Sequence, residues 1–257
     1  MANYLSPLFV FLYGLAAGSF LNVCIYRIPL DKSVVRGRSY CPDCNSLIPW
    51  YGNIPLFSFI FLRGRCKDCG NPISPVYPLV ELLNALLWLA VWFRFGLVVY
   101  SLLLMLLCSL LIIISFIDLK HKIIPDRLVL IILLLGLANA LHQSLFLHIH
   151  WSLWVLGFFA ASLPLYVLGL INPDGMGGGD IKLMAACGLF SGWKLILLSL
   201  FLGAVYALIY SAVLFALGRP LRKVQIPFAP FLSLGIATSL FAGESLISLY
   251  LQTFAGL

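Results

Sequence analysis

Residues 97–117 read LVVYSLLLMLLCSLLIIISFI, twenty-one positions without one charge. A helix of about 20 apolar residues crosses the hydrocarbon of a bilayer. In lipid the backbone must satisfy its own hydrogen bonds, so a spanning segment is either a helix or part of a closed barrel. Barrel strands alternate in polarity over about 10 residues. This run is continuous and rich in Leu, as is Leu195–Leu217, so the barrel is excluded. The chain therefore reads as an all-α polytopic membrane protein. Its 10% of charged residues compares with about 25% in a soluble domain.

Hydropathy divides the chain into about eight segments, at 5–28, 78–93, 97–117, 128–142, 151–171, 181–192, 193–217 and 228–251. The stretch 181–192 is too short to span alone and reads as a half-helix or a tilted one. The first segment lacks a basic lead-in and runs through Ile28, so it reads as a retained span rather than a cleaved signal. A net charge of +7 invites a nucleic-acid reading. Basic residues also gather in the cytoplasmic loops of membrane proteins, which is the better account here. With loop 29–77 cytoplasmic, 14 of the 16 Lys and Arg fall on that side, including Arg219, Arg222 and Lys223. Arg94 and Lys194 are left on the other. Both termini then face outward, and lipid rather than nucleic acid is the expected surrounding partner.

Loop 29–77 reads as the one sizeable soluble piece. It carries CPDC (Cys41, Cys44) and CKDC (Cys66, Cys69). Two such knuckles suit a tetrahedral four-thiolate site for structural Zn²⁺, with reduced or redox-active thiols as the alternative. A closed four-sulfur site leaves no open position for chemistry. Cys24, Cys108 and Cys187 stand alone in apolar segments and read as small hydrophobes.

Only nine side-chain carboxylates exist. Asp31, Asp43 and Asp68 lie in the loop, Glu244 near the outer end of the last segment, and Asp174 in a turn after Pro173. Glu81, Asp118, Asp126 and Asp180 sit at or within segment ends, where ionisable groups mark functional sites. Asp118 closes the uncharged run, and Asp180 follows Gly177-Gly178-Gly179. If both segments end at one membrane face, the two carboxylates can meet and share a proton. Such a pair can hydrolyse a peptide bond, one member activating water and the other polarising the carbonyl. Gly177 and Gly179 would give an extended substrate room for backbone approach. Two other readings stay open. Asp180 and Asp126 can be ordinary helix N-caps, and membrane carboxylates also serve proton- or ion-coupled transport.

Several stretches together resemble the type IV prepilin peptidases, or prepilin leader peptidase/N-methyltransferases. They are GGGDIKLMAACGLFSG at 177–192, DLKHKIIPD at 118–126, GSFLNVCIYRIP at 18–29, and the cysteine loop through Glu81. The likeness runs over about residues 13–217. Its G-x-G-D element is shared with presenilin-like intramembrane aspartyl proteases. The cysteine loop and both Asp motifs, in this order, are specific. The resemblance implies a catalytic pair of Asp118 and Asp180, with Asp126 non-catalytic. It implies cleavage of a basic leader from prepilins or pseudopilins after a Gly on the cytoplasmic side. N-methylation of the new terminus from S-adenosylmethionine would follow. It further implies a bacterial inner-membrane location and an N-terminal, methyltransferase-associated part at 1–95 before a peptidase part at 96–257. No G-x-G-x-x-G follows a strand, so no Rossmann-type cofactor site can be read. Asn22, Arg27, Asn53 and Glu81 are the polar groups near the expected cofactor region. Arg27 reads as a loop cap, and Glu81 is the candidate for the cofactor site.

Overall fold

The computed structural model describes residues 5–172, 176–218 and 226–255. Asp174, Arg219, Arg222 and Lys223 lie outside the described residues. All eight hydrophobic segments are helical: α1 (Leu5–Arg27), α3 (Val76–Phe95), α4 (Val99–His121), α5 (Asp126–Phe146), α6 (Ser152–Ile171), α7 (Gly178–Ser191), α8 (Trp193–Ala216) and α9 (Ala229–Tyr250). A five-residue helix, α2 (Phe57–Phe61), lies in the cysteine loop. Seven of these helices are long and apolar enough to cross a membrane. The exception is α7, whose 14 residues extend only about 21 Å at 1.5 Å per residue. Prolines mark several helix starts: Pro75 precedes α3, Pro125 precedes α5, and Pro230 sits in the first turn of α9. Proline's fixed φ and missing N–H cost nothing at these positions.

The chain forms two compact units, Met1–Ile113 and Ile114–Leu257, with the boundary inside α4. In the first unit α1 and α3 touch backbone to backbone. A Cβ on Gly14 would lie 2.7 Å from Ala85 Cα, and one on Gly18 would lie 2.6 Å from Glu81 Cα. Small residues four apart allow such an approach, which in lipid replaces the hydrophobic effect as the source of helix association. A buried polar chain crosses the same seam. Trp88 Nε1 donates to Ser109 Oγ at 3.0 Å, Ser109 Oγ donates to Asn84 Oδ1 at 2.7 Å, and Asn84 Nδ2 donates to the Gly14 carbonyl at 2.7 Å. Each link removes a polar group that would otherwise be costly in hydrocarbon.

At the end of α1 the buried Arg27 donates to the carbonyls of Ser33, Arg36, Gly37 and Arg38 at 3.0–3.3 Å. It gathers the start of the loop, as the capping reading holds. The two knuckles beyond it repeat one backbone design 25 residues apart. The N–H of Cys41 bonds the Ser46 carbonyl, and that of Cys66 bonds the Asn71 carbonyl. Asn45 N–H bonds Cys41 O, and Gly70 N–H bonds Cys66 O. Asn45 (φ 56°) and Gly70 (φ 73°) both take the left-handed turn that brings the chain back. Antiparallel bridges, Tyr40 to Leu47 and Arg65 to Pro72, close the two turns.

In the second unit the short α7 is enclosed by neighbours. Leu183, Met184, Ala186, Cys187 and Phe190 are almost fully buried. Gly157 of α6 and Gly188 of α7 meet where no Cβ would fit on either side. On α5, a Cβ on Gly136 would lie 3.1 Å from Phe190 N. One turn on, Asn139 Nδ2 donates to the Phe190 carbonyl at 2.8 Å. Helices α8 and α9 pair at Gly203 and Gly235, with the Ser199 and Ser239 hydroxyls bonded beside them. Cys24, Cys108 and Cys187 are all buried.

Candidate active site and metal centre

Asp118 lies in the last turns of α4 and is 7% exposed. Its Oδ2 accepts the N–H of Ala229, the first residue of α9, at 3.1 Å. Phe228, the N-cap of α9, gives no side-chain cap. Asp118 thus fills that place from another helix, and its negative charge meets the positive end of the α9 dipole.

Asp180 lies in the first turn of α7 and is 9% exposed. The N-cap of α7 is Gly177, so the capping reading of Asp180 fails. Its Oδ1 is buried without a hydrogen-bond partner among the described residues. Burial pushes the Asp180 carboxyl up to about 7, and the nearby Asp118 carboxylate adds to the rise. The two aspartates therefore sense each other electrostatically while standing in unlike settings. One receives an N–H at a helix N-terminus, and the inner oxygen of the other has no partner among the described residues. Two neighbouring carboxyls in unlike settings can serve as base and acid.

The glycines before Asp180 have different surroundings. A Cβ on Gly177 would come within 2.9 Å of Asp180 Oδ2. A Cβ on Gly179 would lie 2.8 Å from Ile124 Cβ, in the link between α4 and α5. Gly178 faces open space. The first and third glycines thus make room for the aspartate and for the α4–α5 link. Asp126, expected to cap α5, is instead its first helical residue, with Pro125 as N-cap. Its carboxylate accepts from Lys182 Nζ at 2.7 Å, with both side chains more than half exposed. That pair joins the first turns of α5 and α7. Ala229 and Ile124 went unnoticed in the sequence. Their contacts reach across 111 and 55 positions, and no local pattern marks either residue.

The Sγ atoms of Cys41, Cys44, Cys66 and Cys69 all lie within 4.8 Å of one another. Four thiolates on one Zn²⁺ at about 2.3 Å stand roughly 3.8 Å apart, so a small contraction closes the site. Backbone N–H groups of Cys69 and Asp68 lower the Cys66 thiol to about 7, and the Ser46 hydroxyl and N–H lower that of Cys44. Cys69 accepts an Asn71 N–H, yet burial and the three other sulfurs push it up to about 12. Four such sulfurs cannot all carry charge without a cation among them, so the donor set fits a metal ion.

Near the expected cofactor region, the side chains of Glu81 and Asn22 and the main chain of Asn53 have partners. Glu81 Oε2 accepts the Leu56 N–H at 2.9 Å, and Ser19 also bonds this carboxyl. Asn22 Nδ2 donates to Tyr77 O at 3.0 Å. The Asn53 carbonyl accepts from Ser19 Oγ at 3.5 Å.

Two family models match the chain. One, the bacterial Peptidase A24 N-terminal domain, covers residues 12–95. The other, the type IV leader peptidase family, covers residues 105–212. Several relatives bear the name prepilin leader peptidase/N-methyltransferase. That of Bacillus subtilis (strain 168) is 35% identical over 96% of this chain and 98% of its own length. That of Myxococcus xanthus (strain DK1622) is 41% identical over 85% of this chain and 67% of its own length. The Legionella pneumophila protein is 35% identical over 95% of this chain and 94% of its own. No solved structure matches. A multi-helix membrane chain with two neighbouring aspartates, one of them behind a glycine turn, and a four-cysteine loop after its first helix fits these matches: it belongs to the type IV leader peptidase family.

Proposed function

We propose that the chain is an intramembrane aspartyl endopeptidase that removes the leader of prepilins or pseudopilins and methylates the exposed N-terminus. The names of the relatives support both activities, and the ion-transport alternative finds no support among them. The observation that carries the peptidase reading is the buried, unpartnered Asp180 oxygen near an Asp118 whose Oδ2 accepts the first N–H of α9. Asp118 takes a proton from water as the water oxygen attacks the scissile carbonyl. Asp180 gives its proton to the carbonyl oxygen. As the tetrahedral species collapses, the C–N bond breaks. The proton on Asp118 leaves with the new amine, and Asp180 regains its own from the hydroxyl.

Cys41, Cys44, Cys66 and Cys69 hold a zinc ion that organises the loop. With four thiolates it supplies structure and no open coordination site. S-adenosylmethionine is the methyl donor that the relatives' name implies. Of the polar groups expected near it, Glu81, Asn22 and Arg27 are each bonded to backbone. Residues 1–95 are assigned to that activity and 96–257 to the peptidase. The aspartates and the cysteine loop face the cytoplasm, following the Lys and Arg asymmetry. The start of α9 beside Asp118 supports a return crossing by α7 and its flanking turns, so both termini face outward.

The test is mass spectrometry of a prepilin peptide treated with the lipid-reconstituted chain and S-adenosylmethionine. Cleavage after Gly and a gain of about 14 Da on the new terminus, one added methylene, are expected. Asp118→Asn and Asp180→Asn should each lower cleavage by on the order of 10⁴, as loss of one member of a catalytic unit does. Either variant cutting within about tenfold of wild type removes that residue from the pair.

A further inference from the structure

Between the two knuckles, Ile48 to Leu62 reads IPWYGNIPLFSFIFL, fifteen residues without a charge. The sequence reading counts them in a soluble loop, yet their contacts run down the membrane helices. The Asn53 carbonyl accepts from Ser19 Oγ of α1. The Leu56 N–H reaches Glu81 of α3, at the level where Gly18 touches Glu81. Leu56, Phe57 and Ile60 then enclose an apolar pocket of about 330 Å³ with Leu8, Phe11, Leu12 and Leu15 of α1. These contacts progress from Ser19 toward Leu8, away from Arg27 and the cysteine cluster. At 1.5 Å per residue, Ser19 lies about 12 Å and Leu15 about 18 Å along α1 from Arg27. That depth is within the hydrocarbon that α1 crosses.

The outward side of this segment is apolar and open. Phe57 is 57%, Ile60 69% and Phe61 84% exposed. It continues the open face of α1, where Leu8 and Phe9 are about half exposed. Irregular backbone survives at such depth only if its polar groups are met, and several here have partners. The N–H groups of Ser58, Ile60 and Leu62 bond the carbonyls of Ile54, Leu56 and Ser58. The Ser58 hydroxyl bonds Ile54 O at 2.8 Å. The Leu56 N–H, which would otherwise be unmet at the start of α2, is taken by a carboxylate from a spanning helix. Leu56 holds φ at +60°, a conformation that non-glycine residues keep only where surroundings over-determine it.

We propose that residues 48–62 are a re-entrant membrane segment, tethered by Glu81 and covered on the Phe57–Phe61 face by lipid acyl chains. Arg63 and Arg65 follow directly and reach for headgroups. The second knuckle then stands at the membrane surface.

The test uses the full chain, zinc-loaded, in lipid nanodiscs open on both faces. Ile60→Cys, Phe61→Cys and Val35→Cys are treated with a charged maleimide, and labelling at each position is read from peptide masses. Val35, 86% exposed and outside the segment, should label readily. Cysteine at 60 or 61 should label at least about tenfold more slowly, since a thiol in hydrocarbon does not form the reactive thiolate. All three should label fully after denaturation. Equal native rates at the three positions, fast or slow, overturn the proposal. Fast labelling at 60 and 61 would mark an aqueous face available to a protein partner instead.

Discussion

The two candidate sites are built on opposite principles. The cysteine cluster is closed. Each knuckle repeats the same backbone bonds, and its four sulfurs turn toward one centre. The aspartate site is open. Asp118 has one donor, and the inner oxygen of Asp180 has none among the described residues. Satisfied groups make a rigid scaffold, because every bond constrains the next. An unsatisfied buried carboxyl is costly to the fold and has a use only when something arrives to meet it. Under the proposed function the first site serves stability and the second chemistry.

Metal removal breaks that contrast most sharply. Stripping zinc with a chelator, or replacing Cys66 with Ser, takes away the centre that the loop is built around. Methyl transfer to a pre-cleaved peptide should fall below detection. Cleavage should stay within about tenfold of wild type, since effects on independent sites add rather than multiply. Parallel assays of the two activities on one preparation decide this. Equal loss of both would mean that the cysteine loop supports the aspartates as well.

The glycine turn sharpens the second half. Gly177 has φ −71° and ψ 132°, which alanine adopts without strain, so Gly177→Ala acts only by pressing on Asp180 Oδ2. It should fold as wild type does and cleave about 100-fold more slowly, a loss typical of misplacing a reacting group by about 1 Å. Gly179→Ala drives its Cβ against the β-branched Ile124, a stiff neighbour, and should lose stability as well as rate. Gly178→Ala meets nothing and, at the first helical position, should change stability by less than about 0.5 kcal/mol. Thermal melts beside cleavage rates separate the three. Equal rates for all three variants would show that the glycines serve the substrate's backbone alone.

The sequence made much of this legible, and the reason is physical. Lipid demands long uncharged runs, so eight segments can be read directly. A metal demands short, fixed spacings, so the cysteines stand out. Scarcity of carboxylates narrowed the aspartates. What could not be read depends on contacts between distant positions. Nothing around Ala229 says that its N–H meets Asp118, and nothing around Ile124 says that Gly179 leans on it. Asp126 looked like a cap because Pro-Asp commonly begins a helix, but the frame is shifted by one residue and its charge goes to Lys182. The apolar content of 48–62 was visible, but a loop flanked by cysteines and arginines reads as soluble until its contacts with α1 are seen.

Protonation gives the finest division between the two aspartates. The base must be ionised and the acid protonated for one turnover. Asp180, raised to about 7 by burial and by Asp118, is protonated below that value and loses its proton above it. Cleavage should therefore fall by about tenfold between pH 6 and pH 8. Stability follows the same group in the same sense. An unfolded aspartate titrates near about 3.9. The raised native value thus contributes stability that is full below that pH and lost as pH rises through 7. Asp180→Asn carries no such charge, so its melting temperature should match wild type at pH 4 and exceed it at pH 8. A wild-type rate that climbs through pH 8, with no widening gap in melting temperature, would place the functional proton on Asp118 instead and exchange the roles of acid and base.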